Sequence, residues 1–115
     1  MLSIFQGNDK TFILTRKDTT GKIINTLPKD IWFTVKESYE NKSIVFQKRL
    51  NHGIIQSSDG TWNIQIDAAD TAELKTGRYI CDVKIIDEKG KNVTIVKPQD
   101  FAVIPVVTRL TNQGG

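Results

Sequence analysis

At 115 residues, with 38% hydrophobic and 25% charged side chains, the chain has the size and composition of one globular domain and not of a disordered segment. The 16 basic and 13 acidic residues interleave along the whole sequence, which argues against nucleic-acid binding, because such proteins concentrate Lys and Arg on one face. No apolar run is long enough to cross a bilayer, so we expect no membrane insertion.

The redox compartment and the route of export are indicated by a few residues. The single cysteine, Cys81, excludes an internal disulfide and favours assembly inside a cell. Gly7, Asn8 and Asp9 interrupt the apolar start too early for a secretion signal. We therefore expect synthesis and assembly in a reducing compartment.

Apolar and polar residues alternate along much of the chain, as is typical of half-buried strands. The clearest case is 31–36, where Ile31, Phe33 and Val35 point one way and Trp32 points the other. Predicted strands cover, in chain order, 10–17, 31–36, 43–50, 54–55, 62–66, 78–87, 92–97 and 101–107.

Turn signals separate these strands. Asp59-Gly60 between two extended runs predicts a hairpin, and Gly90 is predicted to take a positive φ in the turn 88–91. Pro98 is expected to end the strand that begins at residue 92. The only candidate for a helix is 67–74, of at most two turns.

The segment 70–81 is the most informative one for the fold class. It opens a short turn at Asp70, reaches Gly77, and continues into a strand in which Tyr79 comes just before the inward-facing Cys81. This is the pattern of a tyrosine corner, in which the phenol bonds to the backbone of the preceding turn, here within 70–75.

We therefore predict an all-β, immunoglobulin-like antiparallel β-sandwich of about seven or eight strands, with one short helical turn at 70–74. It forms a single domain over 1–115, with apolar arms at 1–6 and 104–115. The predicted core consists of Phe12, Leu14, Ile31, Phe33, Val35, Ile44, Phe46, Trp62, Ile64, Ile66, Leu74, Tyr79, Cys81, Val83, Ile85, Ile95, Phe101 and Val103.

Residue types suited to catalysis are few. The alternation places Cys81 in the core, where a thiol behaves as a small hydrophobe. The only imidazole, His52, lies between Asn and Gly in a turn, with nothing to orient it toward a nucleophile. We expect no enzymatic activity, no cofactor and no metal site of recognisable spacing, while a calcium site built from scattered carboxylates stays open.

The apolar ends and one tryptophan are the candidate interface residues. The ends either pack along the edges of the sandwich or add to another subunit, and Trp32 either packs at an edge, is covered by an arm, or contacts a partner. The residues concerned are Ile4, Phe5, Trp32, Ile104, Val106, Val107 and Leu110.

Three motifs carry a family resemblance: Gly-Asn-Asp at 7–9, the strand I-x-F-x-V at 31–35, and the corner D-T-x-x-L-x-x-G-x-Y at 70–79. With these motifs and the closing segment 101–108, the chain resembles small β-sandwich proteins of tailed phages and prophages. It is most similar to the N-terminal domain of the phage baseplate upper proteins (BppU-like).

The resemblance implies a non-enzymatic structural or adaptor protein of the baseplate, tail or head, made in the host cytoplasm and built into the virion. Its partners would be other phage structural proteins, or further copies in a homo-oligomer. Since no helical or receptor-binding region follows, the chain is either a fragment or a self-standing accessory protein. The alternative is a carbohydrate- or receptor-binding module that presents Trp32 or Trp62 from loops at one end of the sandwich.

Overall fold

Eight strands and one short helix make up the computed structural model, which describes residues 2–108. The elements are β1 (Leu2–Phe5), β2 (Lys10–Thr15), β3 (Asp30–Lys36), β4 (Phe46–Leu50), β5 (Gly53–Ser58), β6 (Thr61–Ile66), α1 (Ala68–Ala72), β7 (Gly77–Ile86) and β8 (Asn92–Ile104).

The strands form one folded-over sheet in the order β1-β8-β7-β3-β4-β5-β6-β2. Its two parts are joined at β4 and β5, where only two residue pairs are in register. The rings of Phe12 on β2 and Phe101 on β8 lie 6.2 Å apart although these strands share no ladder, so the two parts pack face to face. The predicted all-β sandwich with one short helical turn is confirmed.

Two pairings are parallel, which corrects the expectation of a wholly antiparallel sandwich. Strand β1 pairs with β8 in parallel because it reaches that edge from the start of the chain and not through a hairpin. Strands β4 and β5 make a short parallel contact at a tight corner, where Asn51 and Gly53 take φ values of +66° and +97°.

The core lies between the two parts of the sheet. Ile44 was expected there and is 49% exposed, because β4 begins only at Phe46 and Ile44 lies outside the alternation. Ile4 and Ile54 were not expected there and are 2% and 0% exposed. The buried apolar residues are Ile4, Leu14, Ile31, Phe33, Val35, Ile54, Trp62, Ile64, Ile66, Tyr79, Cys81, Val83, Ile85, Phe101 and Val103.

Strand β8 continues through Pro98, so the predicted break at that residue is wrong. The register with β7 shifts there, since Cys81 pairs with Gln99 whereas Val83 pairs with Val96. A bulge leaves the extra residue unpaired, and this half of β8 has no neighbouring strand on its other side among the residues described. A missing N–H is therefore tolerated.

The predicted hairpin turns are present. Gly90 takes φ +84° between β7 and β8, and Gly60 takes φ +71° between β5 and β6. A Cβ at Gly60 would lie 2.3 Å from Cγ2 of Ile23, so both conformation and space require glycine.

The turn between β1 and β2, residues 6–9, is fixed to helix α1 and the residues after it. The Thr71 side chain of α1, whose hydroxyl accepts one of the hydrogen bonds in this contact, is fully buried. Three hydrogen bonds make the contact: Gln6 Nε2 to the carbonyl of Leu74 (2.6 Å), Gly7 N–H to Thr71 Oγ1 (2.9 Å), and Ala68 N–H to Asp9 Oδ1 (2.7 Å).

Tyr79 and Asp70 occupy the corner segment in different roles. The Tyr79 hydroxyl donates to the carbonyl of Lys75 at 2.6 Å, within the turn where the sequence places its acceptor. Asp70 accepts from the N–H of Asp67 at 2.8 Å, which helps cap α1, and its carboxylate lies 2.7 Å from Nζ of Lys48 on β4. Asp70 thus ties the helix to the sheet and makes no bond to the phenol.

We expect Tyr79→Phe to lower the free energy of unfolding by about 1–3 kcal/mol, because it leaves the Lys75 carbonyl without its donor in a partly buried setting. Urea denaturation measures this. Tyr39→Phe is the matched control, since Tyr39 is 68% exposed. Equal midpoints for the two variants would contradict the corner assignment.

Candidate functional site

The N-terminal segment is a strand of the sheet and not an arm. Ile4 pairs with Val103 and is only 2% exposed, so it belongs to the core and its assignment as an interface residue is wrong. The apolar start of the chain is therefore largely used in packing along its own edge. The other side of β1 has no neighbouring strand within residues 2–108.

Four candidate interface residues gather where β1 and β8 end, and we call them the terminal patch: Phe5, Ile104, Val106 and Val107. Phe5 pairs with Ile104 and is 51% exposed, while Val107 is fully exposed. Ile104 and Val106 are half-buried, and Pro105 lies past the end of β8, so the strand predicted over 101–107 stops earlier. Leu110 falls outside the described residues.

Trp32 lies on the outer face of the central strand β3, between β4 and β7, which excludes edge packing. The guanidinium of Arg49 stands 4.0 Å from the centre of its ring and 2.7 Å from a carboxylate oxygen of Asp30. Partial burial is the largest single effect on Asp30 and opposes its ionisation. The hydrogen bonds from Arg49 and from the N–H of Ile31, with the attraction of the Arg49 charge, together outweigh burial, so the pKa of Asp30 is lowered. One face of the indole is thereby covered by an oriented cation.

A hollow of about 300 Å³ opens beside this tryptophan, and we call it the Trp32 hollow. It combines an aromatic ring with carboxylate, amide, hydroxyl and ammonium groups, which together can stack on an apolar surface and bond to hydroxyls. Its floor is ordered by a 2.9 Å hydrogen bond from Gln47 to Thr34. The lining residues are Trp32, Thr34, Gln47, Asp82, Lys84, Ile85, Ile86 and Asn92.

A second surface is the seam, defined as the gap between β2 and residues 92–98 of β8. These two stretches form no ladder with each other in the described structure. Two hollows of about 160 and 430 Å³ open into the seam, and they share Leu14 and Val96, so they lie side by side. No sequence pattern marked this surface, because it results from strand order alone.

The residues considered for catalysis are not brought together as a reactive pair. Cys81 is 2% exposed, and burial raises the pKa of its thiol to about 11, so the thiol keeps its proton at neutral pH. His52 is exposed at the corner between β4 and β5. Trp62, the other aromatic considered for binding, is 1% exposed and lies in the core.

Over residues 2–108, no group of three or more His, Cys, Asp or Glu side chains is placed to hold a metal ion. The same residues include no helix with the length and apolar character needed to span a membrane.

Comparisons with known proteins show the fold and no more. No protein-family model matches the chain, and no curated protein is similar to it in sequence. Among solved structures it is similar to CopC from Methylosinus trichosporium OB3b, with a TM-score of 0.51 and 14% identity, covering 95% of this chain and 88% of that one. None of this concerns phage baseplate proteins, so the resemblance to that family stays a prediction.

We expect stability to fall between pH 9 and 11 partly because of Cys81. Its pKa is raised from 9.0 to about 11 in the folded state, so the unfolded thiol ionises first and favours unfolding as the pH rises. Between pH 8 and pH 10.5 the unchanged chain should lose on the order of 1–2 kcal/mol more of its free energy of unfolding than the Cys81→Val variant loses over the same range. Equal losses in both proteins would show that the thiol is not protected.

Proposed function

We propose that this chain is a non-enzymatic structural or adaptor protein of a phage virion, which assembles with other subunits of the baseplate, tail or head. The observation that carries the proposal is the terminal patch, where Phe5 at the end of the edge strand β1 is half exposed and Val107, just past the end of β8, is fully exposed. The motifs at 7–9, 31–35 and 70–79, which resemble those of phage baseplate upper proteins, supply the class of partner.

The physical argument rests on what a free sheet edge exposes. Natural edge strands are usually protected by charge, proline or a covering segment. Strand β1 has the sequence Leu-Ser-Ile-Phe, and the ammonium of Lys10 covers only the carbonyl of Ser3, at 2.9 Å. The side chains of Phe5 and Val107 stay open to solvent, which favours contact with another subunit.

The proposed role involves no reaction. Among the residues described, the buried and protonated Cys81 and the exposed His52 offer no activated nucleophile. Binding surfaces therefore account for the role that we propose.

We expect the double variant Phe5→Ser, Val107→Ser to fold normally and to be lost from assembled particles. Both side chains are at least half exposed, so the core is untouched, whereas deletion of residues 1–5 would also remove the buried Ile4. Incorporation of the tagged chain into particles can be measured after complementation of the producing phage.

The matched control is the double variant Ile44→Ser, Ile55→Ser, because these side chains are 49% and 48% exposed and lie outside the terminal patch. The control should be incorporated like the unchanged chain. Normal incorporation of a folded Phe5→Ser, Val107→Ser chain would reject the proposed use of the patch.

A second candidate function, saccharide binding, is favoured by the Trp32 hollow. The ring of Trp32 and the side chains of Asp82, Gln47 and Asn92 offer an apolar face beside hydrogen-bonding groups. The site lies on a sheet face and not in end loops. Trp62 cannot contribute, since it is buried.

If saccharides bind there, a glycan titration should change the intrinsic fluorescence of Trp32, while the buried Trp62 gives a constant background. Trp32→Ala should weaken binding by at least about tenfold, and Trp32→Phe should weaken it less because a ring remains. A folded chain that binds no member of a glycan array would eliminate this candidate.

A further inference from the structure

We infer that the seam binds an extended, apolar segment with acidic residues from another protein, which adds as a further strand between β2 and β8. The identity of the supplying protein rests on the adaptor role proposed above. The capacity of the seam to bind such a segment depends only on the groups that line it.

The β2 side of the seam offers free backbone groups. The N–H of Arg16 donates to the carbonyl of Gly60 at 2.9 Å, which continues the antiparallel pairing of β2 with β6. Because bonded and non-bonded residues alternate in such a pair, Thr11, Ile13 and Thr15 direct their N–H and C=O groups away from β6. These groups point into the seam.

The β8 side of the seam offers a second set of free backbone groups. The carbonyl of Ile86 accepts from the N–H of Lys29 at 2.7 Å, on the side of β7 that faces β3. Its register partner Asn92 is therefore not bonded to β7, and by alternation neither is Thr94. Both direct their backbone groups toward β2, so an added strand finds donors and acceptors on both sides.

The floor of the seam is apolar and long enough for a short strand. Leu14 and Val96 line both hollows, with Phe12 in the smaller one and Ile95 in the larger one. The six residues of β2 span roughly 20 Å, which matches an added segment of about six residues. Alternate side chains of that segment would enter the two hollows, which requires an apolar alternation in the partner.

The positive charges that line the seam indicate that the bound segment carries acidic side chains. Arg16 and Lys17 line the larger hollow. Neither has a carboxylate within ion-pair distance in the described part of the chain, and the Arg16 guanidinium donates only to the exposed carbonyl of Thr26, at 3.1 Å. An acidic side chain at this end of the segment would complement both cations.

A second copy of this chain fits less well. Antiparallel pairing of two β2 edges would place Lys10 of one copy beside Arg16 of the other, and like charges across strands are destabilising. The terminal segments 1–8 and 101–115 contain no acidic residue that could pair with these cations. A different protein is therefore the better match.

Fluorescence anisotropy of labelled peptides tests the inference. The probes are an eight-residue peptide of alternating valine and threonine that ends in two glutamates, the same peptide ending in two lysines, and the acidic peptide with alternate backbone nitrogens methylated. We expect the acidic peptide to bind at least about tenfold more tightly than the other two, because strand addition needs both its charge and its N–H groups.

Variants of the chain locate the site. Lys17→Glu should abolish the preference for the acidic over the basic peptide, because the new carboxylate balances the remaining charge of Arg16. Lys42→Glu should leave the preference unchanged, since Lys42 is exposed and lines neither hollow. Ile13→Pro removes an N–H that points into the seam and should abolish binding. Ile13→Thr keeps that N–H and should therefore retain binding that Ile13→Pro loses, although the Ile13 side chain lines the smaller hollow and its truncation can weaken binding by a few-fold.

The inference is overturned if no peptide binds up to about 1 mM, or if binding ignores charge, methylation and Lys17→Glu. Self-association that competes with the peptide would assign the seam to a second copy and also overturn it. Loss of particle incorporation in the terminal-patch variant is a separate measurement. The adaptor proposal and the seam inference can therefore fail independently.

Discussion

The fold depends on the contact between the 6–9 turn and helix α1. In only four residues the chain passes from β1, at one end of the sheet order, to β2, at the other. The buried Thr71 hydroxyl accepts the N–H of Gly7, and Asp9 accepts the N–H of Ala68, so the crossing is held by bonds that would be costly to leave unmade. Holding the first two strands at opposite ends keeps the two parts of the sheet face to face, and leaves the seam between β2 and β8 without a ladder.

The same contact links two of the sequence motifs, the one at 7–9 and the corner motif at 70–79. The N–H of Gly7 in the first motif donates to the hydroxyl of Thr71 in the corner motif. Two further bonds come from residues that flank the motifs: Ala68 donates to Asp9, and Gln6 donates to the carbonyl of Leu74. These motifs therefore specify how the chain crosses between strands. A fold-determining motif can be shared by proteins of different function, so the function must be carried by other surfaces. The terminal patch, the Trp32 hollow and the seam are such surfaces.

Local patterns predicted the strands and the core well where packing follows alternation. Val35 and Tyr79 were placed correctly because a period of two and a turn signal are readable over a few residues. Ile44 was misplaced because its strand starts at Phe46, three residues later than the predicted start at residue 43. The environments of Pro98 and Ile4 could not be predicted because they depend on contacts distant in sequence. Pro98 is accommodated within β8 by a bulge beside a free edge. Ile4 is buried because β1 pairs with a strand about a hundred residues away in sequence.

The candidate binding surfaces could also be predicted only in part from the sequence, because a binding surface depends on strand order as much as on residue type. Alternation predicted that Trp32 faces outward, but its position in a central strand and its contact with Arg49 follow from the pairing with β4. The seam had no signal in the sequence at all. Asn92 lines the Trp32 hollow and also stands on the β8 side of the seam, so the two surfaces meet there. A strand added along β8 would pass the rim of the hollow, and occupancy of one surface would then alter the groups available at the other.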